Sequence, residues 1–195
     1  MGYVPGLTDD EAKHARYCDL IANGPRLIAL EEESVVWSKA NDRILLVTDG
    51  SPEGQRKLAH EASICANQEM HYDFRIYRYY DPPDERQVQI FLYVRTSNVV
   101  GLFVMEKRTR VWCCTWNVDE VPACFEQPAR TSMWSVGFVW LHKQFRGSGV
   151  AYTLFGEAKR VLNLGNDDVG WHTPFSEDGE AFVRRLYPTY FFVAK

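Results

Sequence analysis

Residues Gln144 to Ala151, reading Gln-Phe-Arg-Gly-Ser-Gly-Val-Ala, constrain this chain more than any other stretch. They follow an apolar run from Ser135 to His142 containing Val136, Phe138, Val139, Trp140 and Leu141, which predicts a strand. They precede Val150, Leu154, Ala158 and Val161, whose near-helical spacing predicts one apolar helix face. A glycine-rich turn opening a helix leaves the first backbone N–H groups without intrahelical partners, and such groups bind phosphate. Strand, phosphate turn and helix are therefore expected in that order, near the C-terminus.

The turn excludes two phosphate folds. A Walker turn ends in Gly-Lys followed by Ser or Thr, and no such string occurs. A dinucleotide turn needs a third glycine where this chain has Tyr152, and several further βα units, whereas only 48 residues follow Gly147 (195 minus 147). What remains is the Q/R-x-x-G-x-G/A turn of acyl-CoA-dependent acetyltransferases, matched by Gln144, Gly147 and Gly149. The ligand suits the turn physically. Coenzyme A carries a pyrophosphate that needs converging N–H donors, glycines allow close backbone approach, and the helix dipole adds favourable charge. Lys143 and Arg146 offer cationic contacts.

Composition narrows the remaining classes. With 195 residues and 46% hydrophobic content, one well-packed domain is expected. The net charge of -4 carries no bias toward nucleic acid or an anionic membrane. No apolar run approaches the ~20 residues that span a bilayer, and no apolar signal core is found near Met1. An intracellular, cytoplasmic chain is the expectation, with the nucleus also open to a eukaryotic protein. Five cysteines, an odd count, include the adjacent Cys113 and Cys114, and free thiols are expected. No CxxC pair or HExxH motif occurs, so no metal site is expected.

Along the chain, Asp9 to Asn23 reads as a helix ended by Gly24-Pro25. Leu27 to Leu30, Val35 to Trp37, Arg43 to Val47 and Tyr72 to Tyr80 read as strands, and Ser51 caps a helix running to about Met70. Val88 to Arg95 and Val99 to Met105 form a hairpin, and Trp116 to Thr131 reads as a long loop. The end reads as a strand at Asp168 to Thr173, a helix at Glu177 to Leu186 capped by Ser176, and a strand at Tyr190 to Val193.

The region from about Arg43 to Lys195 resembles the GNAT superfamily, and within it the acetyltransferase domain of the Eco/ESCO cohesion-establishment family. The resemblance is carried by several strings in order: Val99-Val100-Gly101 leading to Glu106, Trp112-Cys113-Cys114-Thr115, and Pro122-Ala123. Trp140, six residues before Arg146, and Asp178-Gly179 followed by Phe182 complete the set. The chain departs from that family at two carboxylates. Gly156, beside Glu157, stands at the acidic position of the helix after the turn, and Thr173 stands near the aspartate of its Ser-Asp-Pro string.

The resemblance implies an α/β (α+β) GNAT fold: a mixed, mostly antiparallel sheet with splayed central strands and flanking helices. It implies residues 41–195 as the acetyltransferase domain, with 1–40 an extension packed on or preceding it. Acetyl-CoA is the implied cosubstrate, bound by Val139, Trp140, Leu141, Gln144, Arg146, Gly147, Ser148, Gly149, Val150 and Ala151. Trp134 to Leu141 would pair with the pantetheine amides, and a backbone N–H near Val139 to Leu141 would polarise the acetyl carbonyl. The implied reaction is direct attack by an amine, from a protein lysine or peptide, or alternatively from a small molecule.

His172, at the end of the strand forming the other lip, is the candidate base. A backbone-bonded histidine at a strand end is the competing reading. Glu106 ends the third strand of the resemblance and faces either the site or solvent. Tyr187 and Tyr190 occupy the region from which many GNAT enzymes protonate the departing thiolate, and core packing explains them equally. A non-catalytic acyl-CoA-binding or protein-interaction module is the reading of another class, motivated by the missing carboxylates.

Overall fold

The computed structural model describes residues 8–27, 34–70, 87–116, 123–124, 129–130 and 132–194. The expected strands at Leu27 to Leu30 (beyond Leu27 itself) and Tyr72 to Tyr80 lie outside them, as does most of the expected 116–131 loop. The elements run α1 (Thr8–Asn23), β1 (Val35–Lys39), β2 (Asp42–Val47), α2 (Glu53–Met70), β3 (Val88–Arg95), β4 (Asn98–Arg108) and β5 (Val111–Thr115). They continue with β6 (Ala123–Cys124), β7 (Met133–Leu141), α3 (Val150–Leu162), β8 (Val169–His172), α4 (Glu177–Leu186) and β9 (Tyr190–Ala194).

Local chemistry sets the helix ends. Gly24, at φ +78°, closes α1 through a bond from its N–H to Leu20 O, a backbone region that favours glycine. A Cβ there would lie 2.1 Å from Val99 O, so glycine also permits α1 to meet β4. Ser176 caps α4 by accepting from the Gly179 N–H at 3.2 Å. Glu177, Asp178 and Glu180 in its first turn and Arg184 and Arg185 in its last complement the helix dipole.

Among the described residues, one nine-stranded sheet joins these parts in the order β1-β2-β3-β4-β7-β8-β9-β5-β6. β7 with β8 and β8 with β9 are parallel, and every other pairing is antiparallel. β4 is buried without interruption from Val99 to Glu106, as a central strand covered on both faces must be. On one face Phe91, Phe103, Met105, Val136 and Trp171 pack with Leu154, Phe155 and Ala158 of α3 and Val183 of α4. On the other, Leu45, Ile90, Leu92, Leu102, Val104, Phe138 and Trp140 pack with Leu58, Ala59, Ala62 and Cys65 of α2. Phe103 is fully buried against Phe155, with ring centroids 6.2 Å apart. Phe103→Ala is expected to cost about 3–5 kcal/mol. Denaturant or thermal unfolding should report that loss, as a Tm lowered by roughly 10 °C.

Two expectations are corrected. Ala123–Cys124 is not loop but a short strand on the sheet edge, where Cys114 pairs in register with Cys124. Cys18, Cys65 and Cys113 are free, whereas Cys114 is disulfide-bonded. Adjacency excludes a Cys113–Cys114 bridge, but it says nothing about a cross-strand neighbour that only the register supplies. No described helix is long and apolar enough to cross a membrane.

Candidate active site

The parallel strands β7 and β8 stay together only briefly. Trp134 pairs with Val169, Ser135 with Gly170 and Val136 with Trp171; there the pairing stops. β7 continues from Gly137 to Leu141 with β4 along one side and, among the described residues, no strand along the other. The departure coincides with a bulge. Met105 opposes Val136 and Val104 opposes Phe138, so Gly137 has no partner on β4. Bulges sharpen strand twist and bend, which separates neighbours.

The open edge has a defined polarity. The N–H of His142, the residue just past β7, donates to Val100 O on the β4 side at 2.9 Å. Alternation along the ladder turns the N–H and C=O of Trp140 the same way, and those of Val139 and Leu141 toward the split. The Leu141 carbonyl is indeed reached on that edge by Arg146 Nε at 3.2 Å. Val139 thus presents one donor and one acceptor to a gap between strands, the arrangement that pairs with an extended amide-bearing ligand.

At the end of this edge lies the glycine turn. Lys143–Phe145 forms one 3-10 turn, followed by Gly147 at φ +71° and Gly149 at φ +87°. A Cβ at either glycine would meet nothing within 4 Å, so the turn faces open space. Gly149 is the N-cap of α3 and supplies no capping side chain, leaving the first helical N–H groups of Val150 and Ala151 available. The Ser148 hydroxyl donates to Phe145 O at 2.5 Å and braces the turn. Such a turn can hold a diphosphate: it offers N–H donors, a positive dipole end and no obstructing side chain. Its residues fit coenzyme A, with the Val139 edge placed to take the pantetheine arm.

Trp140, Arg146 and Gln144 occupy supporting places. Trp140 is buried on the α2 face, its indole N–H donating to Glu69 Oε2 at 2.7 Å. Arg146 Nη2 lies 2.7 Å from Glu69 Oε1, so one α2 carboxylate ties the strand to the turn. The Gln144 N–H donates to Nδ1 of the buried His142, whose Nε2 bonds Ala22 O at the end of α1. Glu69 and His142 escape a linear reading because their partners lie 77 and 120 residues away.

A polar group lies where β7 and β8 part. Glu106 opposes Ser135 in register and Ser135 opposes Gly170, a row across three strands. Glu106 is buried, which resolves its expected choice between site and solvent in favour of the interior. Arg108 Nη2 approaches Glu106 Oε2 at 2.5 Å without hydrogen-bond alignment. His172 is half-buried on the next strand. Desolvation, then the positive charge of Arg108, pull its pKa below the ordinary histidine value, with Glu106 opposing. The imidazole is therefore neutral at pH 7. Its Nε2 is buried and has no hydrogen-bond partner, unlike the backbone-bonded histidine of the competing reading.

The two tyrosines are directed elsewhere. Tyr187 is buried against Trp171, and its hydroxyl donates to Asn166 O at 2.8 Å. The Tyr190 hydroxyl donates to Asp167 Oδ1 at 3.2 Å. Both hydroxyls sit at the start of β8, where the strands are still paired, rather than at the open end. Burial raises the Tyr187 pKa, and the Asp167 hydrogen bond raises that of Tyr190. On α3, Glu157 pairs with Arg160 at 2.7 Å, and a Cβ at Gly156 would meet nothing within 4 Å.

No protein-family model matches the chain. The chain is similar to the N-acetyltransferase ECO1 of Candida glabrata, at 24% identity over 208 residues, covering 92% of this chain and 78% of that protein. Its fold is similar to the xEco2 acetyltransferase domain bound to a K105-CoA conjugate, with TM-score 0.70 at 16% identity, over 85% of this chain and 98% of the other. A second structure of the xEco2 acetyltransferase domain gives TM-score 0.68 over 86% and 98%, again at 16% identity.

Proposed function

We propose that this chain, an Eco-like acetyltransferase domain of GNAT fold, transfers the acetyl group of acetyl-CoA to an amine, the acceptor being a protein lysine. The observation that carries the reading is the unpaired Val139 edge of β7 running into the uncapped Gly149 turn. That combination holds the two chemically distinct halves of one ligand, an amide-bearing arm and a diphosphate. Gly147, Ser148, Gly149, Val150 and Ala151 hold the diphosphate through backbone N–H groups. Acetyl-CoA supplies the activated acyl group as its thioester.

Chemistry at the split asks two things of the protein. The acetyl carbonyl oxygen gains negative charge as the amine attacks, and a backbone N–H on the Val139 edge is the donor that stabilises it. The amine must also lose a proton. Its nitrogen bonds to the acyl carbon, the carbon–sulfur bond breaks, and the amine proton passes to His172 Nε2, directly or through one water. The thiolate then takes a proton from solvent. A neutral imidazole is the required form of that base, and burial beside Arg108 maintains it.

Lysine is preferred over a small amine because the chain is similar to Eco proteins, one of them seen bound to a lysine–CoA conjugate. The reading places the protein in the cytoplasm or nucleus, where acetyl-CoA and lysine-bearing proteins meet. Calorimetry with acetyl-CoA and a CoA-release assay against lysine peptides and small polyamines test it together. Micromolar binding with turnover on peptides is expected. Absence of binding would defeat the reading. Tight binding with no turnover on any amine would establish the alternative, a non-catalytic acyl-CoA module.

A further inference from the structure

The polar group at the foot of the split contains more than a base. Arg108 Nε, Ser135 Oγ and His172 Nε2 are buried and have no hydrogen-bond partner, and Glu106 Oε2 beside them has only the ion pair with Arg108. Three such atoms in one neighbourhood are unusual, since leaving each unsatisfied costs free energy unless something is there to be bound. They share the sheet face opposite α3. Glu106 and Arg108 alternate with Met105 and Lys107 along β4, and His172 follows Trp171, whose ring packs toward α3.

Gly137 explains how a β4 carboxylate comes to the split. Glu106 lies across the bulge, and a Cβ built on Gly137 would fall 2.8 Å from its Oε1, 3.0 Å from its Cδ and 3.2 Å from its Cγ. The carboxylate therefore occupies the space a side chain at 137 would fill, directly over the strand whose far edge is unpaired. Gly137 has φ in the range any residue adopts, since it is absent from the positive-φ residues, so close approach is what requires glycine here. Arg108 balances the buried charge, which would otherwise be unfavourable to hold in the interior.

We propose that the Glu106 carboxylate, through the oxygen that lies over Gly137, and His172 Nε2 form the subsite that takes the N–H donors of the acceptor amine, and that Gly137 keeps this subsite open. Two acceptor atoms suit the neutral amine of an unbranched primary alkylamine such as a lysine side chain. A thiol or hydroxyl offers a single donor and leaves one acceptor unpaired. The inference rests on the acetyltransferase reading but adds a distinct role: Glu106 selects and orients the amine, while His172 both binds and deprotonates it.

The test separates the two readings by using binding rather than turnover. The probes are CoA and a conjugate in which the CoA sulfur is joined through a two-carbon alkyl bridge to the ε-nitrogen of a lysine peptide, a secondary amine that presents two N–H donors when protonated. Wild type should bind the conjugate more tightly than CoA. Glu106→Gln and Gly137→Ala should each weaken conjugate binding by about tenfold or more while leaving the Kd of CoA unchanged, the loss expected for one hydrogen bond to a charged acceptor. Lysine-peptide KM should rise with it. Both variants binding conjugate like wild type would overturn the subsite and leave the acetyltransferase reading intact. Wild type failing to bind CoA would defeat that reading itself. Should Gly137→Ala unfold, the isosteric Glu106→Gln carries the decision, and equal losses for CoA and conjugate would mark Glu106 as a structural residue only.

Discussion

Gly149→Asp should abolish acetyl-CoA binding, raising Kd by at least ~100-fold, which corresponds to about 2.7 kcal/mol. Two effects add. Gly149 sits at φ +87°, where an L side chain is strained by roughly 1–2 kcal/mol. The larger effect is electrostatic. The space a Cβ would enter is empty of protein atoms within 4 Å, so the new carboxylate would enter the diphosphate position and place like charge beside the ligand. Gly149→Ala isolates the first effect, and calorimetry on both variants should show Ala intermediate. If Asp and Ala bind acetyl-CoA alike, charge at the helix N-terminus is not what the turn recognises.

His172→Gln should lower kcat by roughly 100-fold, the low end of what general-base catalysis contributes. Glutamine keeps a polar side chain at the strand end but cannot accept a proton near neutral pH. The sign of the pH effect follows from burial and Arg108, which depress the imidazole pKa. In wild type, kcat should rise as pH increases through an apparent pKa below the ordinary histidine value of 6.5, because only the neutral imidazole takes the proton. Above that value the histidine no longer limits the rate. His172→Gln should lose this acid limb while binding acetyl-CoA normally. A variant with the wild-type rate and acid limb would remove His172 from the chemistry.

Much of the fold was legible along the chain because the signals are local. Ser176 followed by three acids, the Val88–Met105 hairpin and the apolar stripe from Val150 each depend on neighbours within a few residues. The glycine turn was legible for the same reason, since two glycines between strand and helix specify backbone that faces outward. The short strand at Ala123 and the bonding of Cys114 were not, because both depend on how the chain after β5 turns back to lie alongside it. Tyr187 and Tyr190 show the same limit. Their positions in the chain suit an acid role, but the direction of each hydroxyl was decided by the Asn166–Asp168 turn, some twenty residues earlier.

The sequence by itself determined that a glycine-rich turn stands between a buried strand and an amphipathic helix, and which phosphate folds that order excludes. Only the tertiary structure decided what lies beside that turn. The split between β7 and β8, the turning of Val139 toward it and the passage of Glu106 over Gly137 all follow from strand register and one bulge. The reason is physical: backbone conformation is set by near neighbours, whereas convergence of buried polar groups is set by packing among strands far apart in the chain.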